Sequence, residues 1–433
     1  MIINPLKTNE KHVENDKNNK QLDINNTNIE EKVIEYILDK QANLLKNNRE
    51  IVENLIKEKI INDYSNIGID ISKTVKLVLD RFFGYYILQK YIDNEDITDI
   101  RAINYKTIFI KKKGVWNLTG ESFNNPKEYL NFVRNCILKN GGKINNEIPI
   151  NVVSDKEKNL RIEAGIDPIN VISPNLIIRI HRKEKNENLE SLLFDDSYMF
   201  DSKIYLFLLK AVLSGCNIII SGKGGSGKTT LLRSLINKIP DNIAITSNEE
   251  TAEIFSNHPN IIQREIIQNR LEDKNITLEK LTKQCLVMSN DAIVVGELKG
   301  AESMAFLDAI STGHIGYATI HSNNSENTIN RLSVLMKKDR NAMMYTNEYL
   351  ERIISQSLDL IIYMDKFKIM EITEIDYDNK IQRVVFNKLY RFRQREFLNG
   401  EYFGFFEKIS EPKYSVLEKF NVNKYEIERI LNL

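Results

Sequence analysis
Eight residues constrain this 433-residue chain more than any others: Gly222-Lys223-Gly224-Gly225-Ser226-Gly227-Lys228-Thr229. They fit the spacing GxxxxGK[ST] without mismatch. They follow the apolar run Asn217-Ile218-Ile219-Ile220 and open the helical stretch Thr229–Ile239. Buried strand, glycine turn and helix in that order make a cradle for phosphate. The glycines let backbone N–H groups turn inward, and the helix N-terminus adds its positive dipole end. Lys228 supplies a point charge for the β- and γ-phosphates, and Thr229, followed by Thr230, offers a hydroxyl to Mg²⁺. By itself the loop implies a bound nucleoside triphosphate and nothing narrower.

The flanking segments set the fold class. A helix over Ile204–Leu213 precedes the loop strand, and further strands fit Ile243–Ile245 and Ala292–Val295. Continuous apolar strands alternating with helices predict a parallel sheet covered on both faces, an α/β domain of RecA-like type over 196–433. Within it, the alternation of Ile369–Ile375 and the aromatic turn Tyr402–Phe406 read as a closing sheet. Upstream, Ile97–Arg101, Thr107–Ile110 and Val115-Trp116 alternate like strands. A helix near Pro126–Leu138 then ends at Gly141-Gly142, and Leu160–Ile162 and Leu176–Ile180 resume the strand pattern. These predict a smaller α+β domain over 92–183, with 184–195 as a linker. Over 29–91, Val33, Ile34, Ile37, Leu38, Leu44 and Leu45 begin a helical spacing that reads as a packing element, and Val75–Ile92 reads as one further helix. Residues 1–28 are polar and poor in aromatics, the composition of a disordered tail.

Composition removes several function classes. Sixty Lys+Arg balance sixty Asp+Glu, which argues against a basic surface built to neutralise nucleic-acid phosphates. No apolar run approaches the roughly 18–20 residues that span a bilayer, and the N-terminus has no apolar h-region. The three cysteines, Cys136, Cys216 and Cys285, lie far apart without a CxxC pair, so neither a disulfide framework nor a zinc ribbon is proposed. A cytoplasmic protein without a membrane span is the expectation.

Three further clusters carry possible chemistry. Ile293-Val294-Val295-Gly296-Glu297 ends an apolar strand in an acid, the position from which a carboxylate holds Mg²⁺ or orients the attacking water. Glu249-Glu250 follows Ile243–Ile245. Such acids face the ligand crevice at a strand's carboxyl end, or equally begin a solvated helix. Thr312–His321 holds two of the five histidines, His314 and His321, with no carboxylate or cysteine cluster to make a metal site. A polar partner for the γ-phosphate and a structural histidine are both open readings.

Together these motifs resemble the secretion and pilus-assembly traffic ATPases, and within them the CpaF-like branch of the type II/IV secretion family. The match lies in their order: GKGGSGKTTLL, the acidic SNEETAEI, NDAIVVGELKGAES, then STGHIGYATIHSNN. GYYILQKYIDNEDITDI and the strands carrying Arg161 and Arg179 resemble the family's N-terminal domain, which extends the likeness over about residues 80–400. The resemblance implies ATP and Mg²⁺ as cofactors, with Lys228 and Thr229 on phosphate and metal and Glu297 on the metal. It places one of Glu249 and Glu250 on the attacking water and His321 near the γ-phosphate. Arg161, Arg179 and Arg182 match arginines that reach the nucleotide across a domain or subunit boundary; ordinary surface pairing is their other reading. It further implies a homohexamer at the inner face of the membrane. That ring would hydrolyse ATP to drive pilus assembly or secretion through an inner-membrane platform protein. The chain departs from the family pattern at Leu286-Val287-Met288-Ser289-Asn290-Asp291, where an arginine-rich segment with a proline is usual. It departs again at Lys299 in place of arginine and at Glu250 in place of aspartate. These departures motivate an alternative, an ATP-binding scaffold with little turnover; a DNA-translocating conjugation motor is the other.

Overall fold
The computed structural model describes residues 49–64, 70–112, 115–181, 188–194, 198–266, 276–398 and 401–424, together with Lys32, Val33 and Tyr36. The expected tail 1–28 lies outside the described residues, as do Arg182 and residues 184–187 and 195 of the expected linker. The chain divides into two units, Met1–Arg182 and Lys183–Leu433.

In the first unit, helices α1 (Arg49–Tyr64) and α2 (Ile71–Phe82) bury Val52, Ile56, Ile60, Val75, Val78 and Leu79 in a cluster of their own. Asp70 caps α2 by accepting from Lys73 N. The stretch Val75–Ile92 is not one helix. α2 stops at Phe82, and Gly84 turns the chain where a Cβ would meet Asp80 O at 3.0 Å. A six-stranded sheet follows, built from β1 (Ile97–Asn104), β2 (Thr107–Lys112), β3 (Val115–Leu118), β4 (Ile150–Asp155), β5 (Leu160–Gly165) and β6 (Asn175–Ile180). Its order is β3-β2-β1-β6-β5-β4. Helix α3 (Pro126–Lys139), capped by Asn125 with Pro126 in its first turn, buries Tyr129, Val133 and Ile137 in the same core as Ile100, Ile162 and Ile178.

In the second unit the strands are β7 (Ile218–Gly222), β8 (Ile245–Glu249), β9 (Ile261–Glu265), β10 (Ala292–Leu298), β11 (Ile315–Ile320), β12 (Leu360–Asp365), β13 (Lys368–Asp378), β14 (Arg383–Leu398) and β15 (Glu401–Lys408). They form one sheet in the order β15-β14-β13-β12-β7-β11-β10-β8-β9. β12, β7, β11, β10, β8 and β9 are mutually parallel, and β13 to β15 continue the sheet antiparallel. The period-2 alternation of a strand decides which helices each residue meets. Ile218, Ile220, Leu360 and Ile362 share a core with α4 (Ser202–Leu213), α5 (Lys228–Ile236) and Val416 of a later helix. Ile219, Ile293, Val295 and Ile361 point into the other core, with α6 (Leu278–Cys285), α7 (Glu302–Ser311), α8 (Ser325–Met336) and α9 (Asn347–Ser357). Helices therefore cover both faces, as parallel strands require.

That later helix is α10 (Ser415–Val422), and buried carboxylates fasten it. Glu374 on β13 accepts from the backbone N–H groups of Lys413 and Tyr414 at 2.9 Å each, and Asp359 accepts from Lys419 Nζ at 2.6 Å. Asp359 also accepts from Asn217 N at 2.6 Å, where β7 is about to begin. Among the described residues no helix is long and apolar enough to cross a membrane.

Candidate functional site
The glycine loop 222–229 leaves the carboxyl end of β7 between β11 and β12. Its glycines are there for backbone reasons. Gly225 and Gly227 have left-handed φ of 73° and 92°, and a Cβ on Gly222 would come within 2.4 Å of Met364 O on β12. No side chain caps α5, so its first-turn N–H groups are left for an anion held in the loop. Lys228 is the first residue of that helix, and its Nζ donates to Gly222 O at 3.0 Å and Lys223 O at 2.8 Å. Burial lowers its pKa, opposed by the charges of Glu297 and Glu253. A phosphate oxygen is a stronger acceptor than either carbonyl and could take those bonds over. Thr229 and Thr230 follow half-buried in the first turn, while Lys223 and Gly224 stand exposed and Ser226 is buried.

The acids and the histidine also sit at strand carboxyl ends, along the same edge of the sheet. Glu297, next to last in β10, lies 2.9 Å from His321 Nε2 through Oε1 and 3.2 Å from Lys299 Nζ through Oε2. Lys299 Nζ also reaches Glu250 Oε2 at 2.9 Å. The result is one polar chain, His321, Glu297, Lys299, Glu250. His321 also hydrogen-bonds the backbone of Gly222, so the chain reaches the loop. Burial, then the charges of Lys228 and Lys299, hold His321 below its ordinary pKa against the pull of Glu297. Burial works against the Lys299 ammonium, but its bond to Glu250 and the charge of Glu297 outweigh that and raise its pKa.

Glu249 stands apart from that chain. It is the last residue of β8, almost fully buried, and its Oε2 accepts from Glu253 N at 2.8 Å and Ile254 N at 2.9 Å. It lies across Gly296, where a Cβ would meet its Cγ at 2.9 Å. Burial pushes this carboxyl up to about 8, in spite of the two amide bonds. The two neighbouring acids thus divide: Glu250 joins the polar chain, and Glu249 ties down the loop after its strand. Thr229 and Glu297 present the hard oxygen donors that suit Mg²⁺.

In the first unit Arg161 and Arg179 are Cα partners across the β5–β6 ladder, and Arg179 Nε contacts Asp99 Oδ1 at 3.2 Å. Other residues that brace the site carry no motif. Arg264 on β9 donates to Asn248 Oδ1 at 2.9 Å and to Leu281 O at 2.7 Å, and Asn290 accepts from Thr246 Oγ1 at 2.7 Å. Asn290 falls in the segment that departs from the family pattern, which is the one signal that marked it. Phe367 donates its backbone N–H to Ser226 O at 3.1 Å, directly behind the loop. Nothing in the sequence around Asp365-Lys366-Phe367 singles it out.

Residues 143–367 match the family model described as type II/IV secretion system protein. The VirB11 type IV secretion system protein of Brucella suis is 30% identical over 162 residues, covering 36% of this chain and 45% of that protein. The uncharacterized protein MJ1287 of Methanocaldococcus jannaschii is 33% identical over 196 residues, covering 44% of this chain and 70% of that one. Among solved structures, the pilus retraction motor PilT with bound ADP is 16% identical, covering 80% of this chain and 88% of that one at a TM-score of 0.48. The chain spans about half the length of the VirB11 relatives it matches. With its family match running from just before β4, through the glycine loop, to just past the end of β12, the chain belongs to the type II/IV secretion system protein family.

Proposed function
We propose that this chain is a cytoplasmic ATPase motor of the CpaF-like branch. It would act as a homohexamer at the inner face of the membrane and drive pilus assembly or protein secretion through an inner-membrane platform protein. The observation that carries the reading is the hydrogen bond from His321 to the glycine loop, with Glu297, Lys299 and Glu250 beside it at the carboxyl ends of parallel strands. A loop that binds phosphate and a carboxylate paired to a histidine beside it are the parts that phosphoryl transfer to water requires. Lys228 takes charge from the β/γ-phosphates, Glu297 or one of the neighbouring acids orients the water, and His321 meets the γ-phosphate. Mg²⁺, when bound, neutralises charge between the phosphates, and Thr229 and Glu297 are the residues that would hold it. On the family likeness alone, Arg161, Arg179 and Arg182 are proposed as guanidinium partners for phosphate.

The test is steady-state hydrolysis by the purified full chain, measured together with its mass by light scattering, with and without Mg²⁺ and ATP. Mg²⁺-dependent turnover in a particle of six copies is expected. The two salt contacts that already engage Glu297 support a second reading, a nucleotide-binding scaffold. Tight ATP binding with background turnover, even with membranes added, would establish it in place of the motor.

A further inference from the structure
The loop strand β7 has two neighbours, and the polar chain occupies only one side. Glu297, Lys299 and His321 come from β10 and the end of β11, so the phosphate end of a nucleotide is met there. On the other side β7 is bordered by β12. There Met364 is the Cα partner of Gly222, and the two-residue turn Lys366-Phe367 leads into β13. Phe367 is tied to the loop twice. Its N–H donates to Ser226 O, and a Cβ built on Gly227 would come 3.0 Å from Phe367 Cδ1. Even so the side chain is 45% exposed, an aromatic ring left half bare beside the start of α5.

The turn itself is strained. Lys366 and Phe367 both hold left-handed φ, 45° and 61°, where a tight hairpin ordinarily uses asparagine and glycine. Surrounding contacts enforce it. Asp365 accepts from Tyr402 Oη at 2.8 Å, and Lys366 Nζ sits 3.6 Å from the Phe397 ring centroid. A bulky residue kept in such a conformation, braced and half exposed, is the kind of strain that marks a ligand clamp.

We propose that Phe367 is the platform on which the base of the bound nucleotide stacks. The inference rests on the loop being a nucleotide site, and it adds the surface that receives the nucleoside. A phenyl face reads no hydrogen-bonding edge, so the platform accepts purines of either kind with little discrimination.

The experiment is calorimetric titration of the full chain with two probes in the presence of Mg²⁺: ATP and inorganic tripolyphosphate. In the parent protein ATP is expected to bind more tightly than tripolyphosphate. Phe367→Ala should weaken ATP on the order of tenfold, the usual loss for one base–aromatic stack, and leave tripolyphosphate within about twofold. Phe367→Leu keeps an apolar contact on Gly227 while removing the ring, and should weaken ATP selectively too; Phe367→Tyr should restore it. Unchanged ATP affinity in both the Ala and Leu variants, or parallel loss of both probes, overturns the platform. If the parent binds both probes equally, the loop reading stands and the platform falls. If it binds neither, both readings fall together.

Discussion

Replacing Glu249 by glutamine tests the electrostatics of the site apart from its chemistry. The carboxyl ends β8 almost fully buried, and burial moves it from 4.5 up to about 8. Folding thus raises its proton affinity. The stability this contributes is fully present below about pH 4.5 and is lost as pH rises through about 8. At 1.36 kcal/mol per pH unit, the folded protein forfeits about 3 kcal/mol between about pH 5.5 and about pH 8.5 from this one group. Glutamine keeps an acceptor for the Glu253 and Ile254 amides and does not titrate, so Glu249→Gln removes the pH-dependent part. Thermal unfolding of both proteins across that range is the assay, with the difference in Tm as readout. For a unit of roughly 250 residues each kcal/mol shifts Tm by about 2–4 °C, so the variant should gain about 6–12 °C on the parent between the two pH values. Parallel pH profiles would refute the argument and show the carboxylate is as well solvated by its two amides as by water.

Lys228→Ala should lower Mg²⁺-dependent ATP hydrolysis by at least about a hundredfold while leaving the far-ultraviolet circular dichroism unchanged, because the ammonium bonds only to loop carbonyls. Near-normal turnover would remove the motor reading. Two glycine substitutions should separate crowding from backbone strain. Gly225→Ala, with open space around it, should cost about 1–2 kcal/mol of strain, and Gly222→Ala should cost more and weaken ATP binding, since its Cβ strikes Met364 O. Equal costs by chemical denaturation would mean the β12 contact is not rigid. Glu374→Ala leaves the N–H groups of Lys413 and Tyr414 without their acceptor, and hydrogen exchange across Ser415–Val422 should accelerate in step with a loss of about 2–4 kcal/mol. Unchanged protection there would show that α10 is held by its apolar face alone.

The loop and its two flanking elements were legible because glycine spacing and an isoleucine run each have one structural use. β10 was legible too, since Ala292–Val295 is apolar on both faces. What the sequence concealed was polar or peripheral. Thr246, Ser247 and Asn248 are fully buried in β8, yet they read as the end of the strand rather than its middle. Asn290, the partner of Thr246, and Arg264, the partner of Asn248, lie 44 and 16 residues away, so no local pattern reveals that these two can be satisfied inside. Glu249 reads equally as a crevice acid or as the start of a solvated helix, and the structure packs it across Gly296 instead. β4 and β9 are edge strands of their sheets, with mostly intermediate or exposed residues, so they lack the alternation that marks a strand. The Val75–Ile92 helix pattern hid a break because Gly84 is a single residue in an otherwise periodic run.

The clamp at Asn217 also governs how such a chain leaves the ribosome. Asp359, which receives the Asn217 N–H, lies 142 residues downstream, and β12 begins beside it. At roughly 5–20 residues per second, the nascent strand Ile218–Gly222 waits on the order of ten to thirty seconds for a permanent neighbour on that side. Lys419, which neutralises Asp359, emerges later still. The strand that carries the phosphate loop is therefore among the last to be enclosed. During that interval three consecutive isoleucines are a demand on whatever holdase shields unfinished chains.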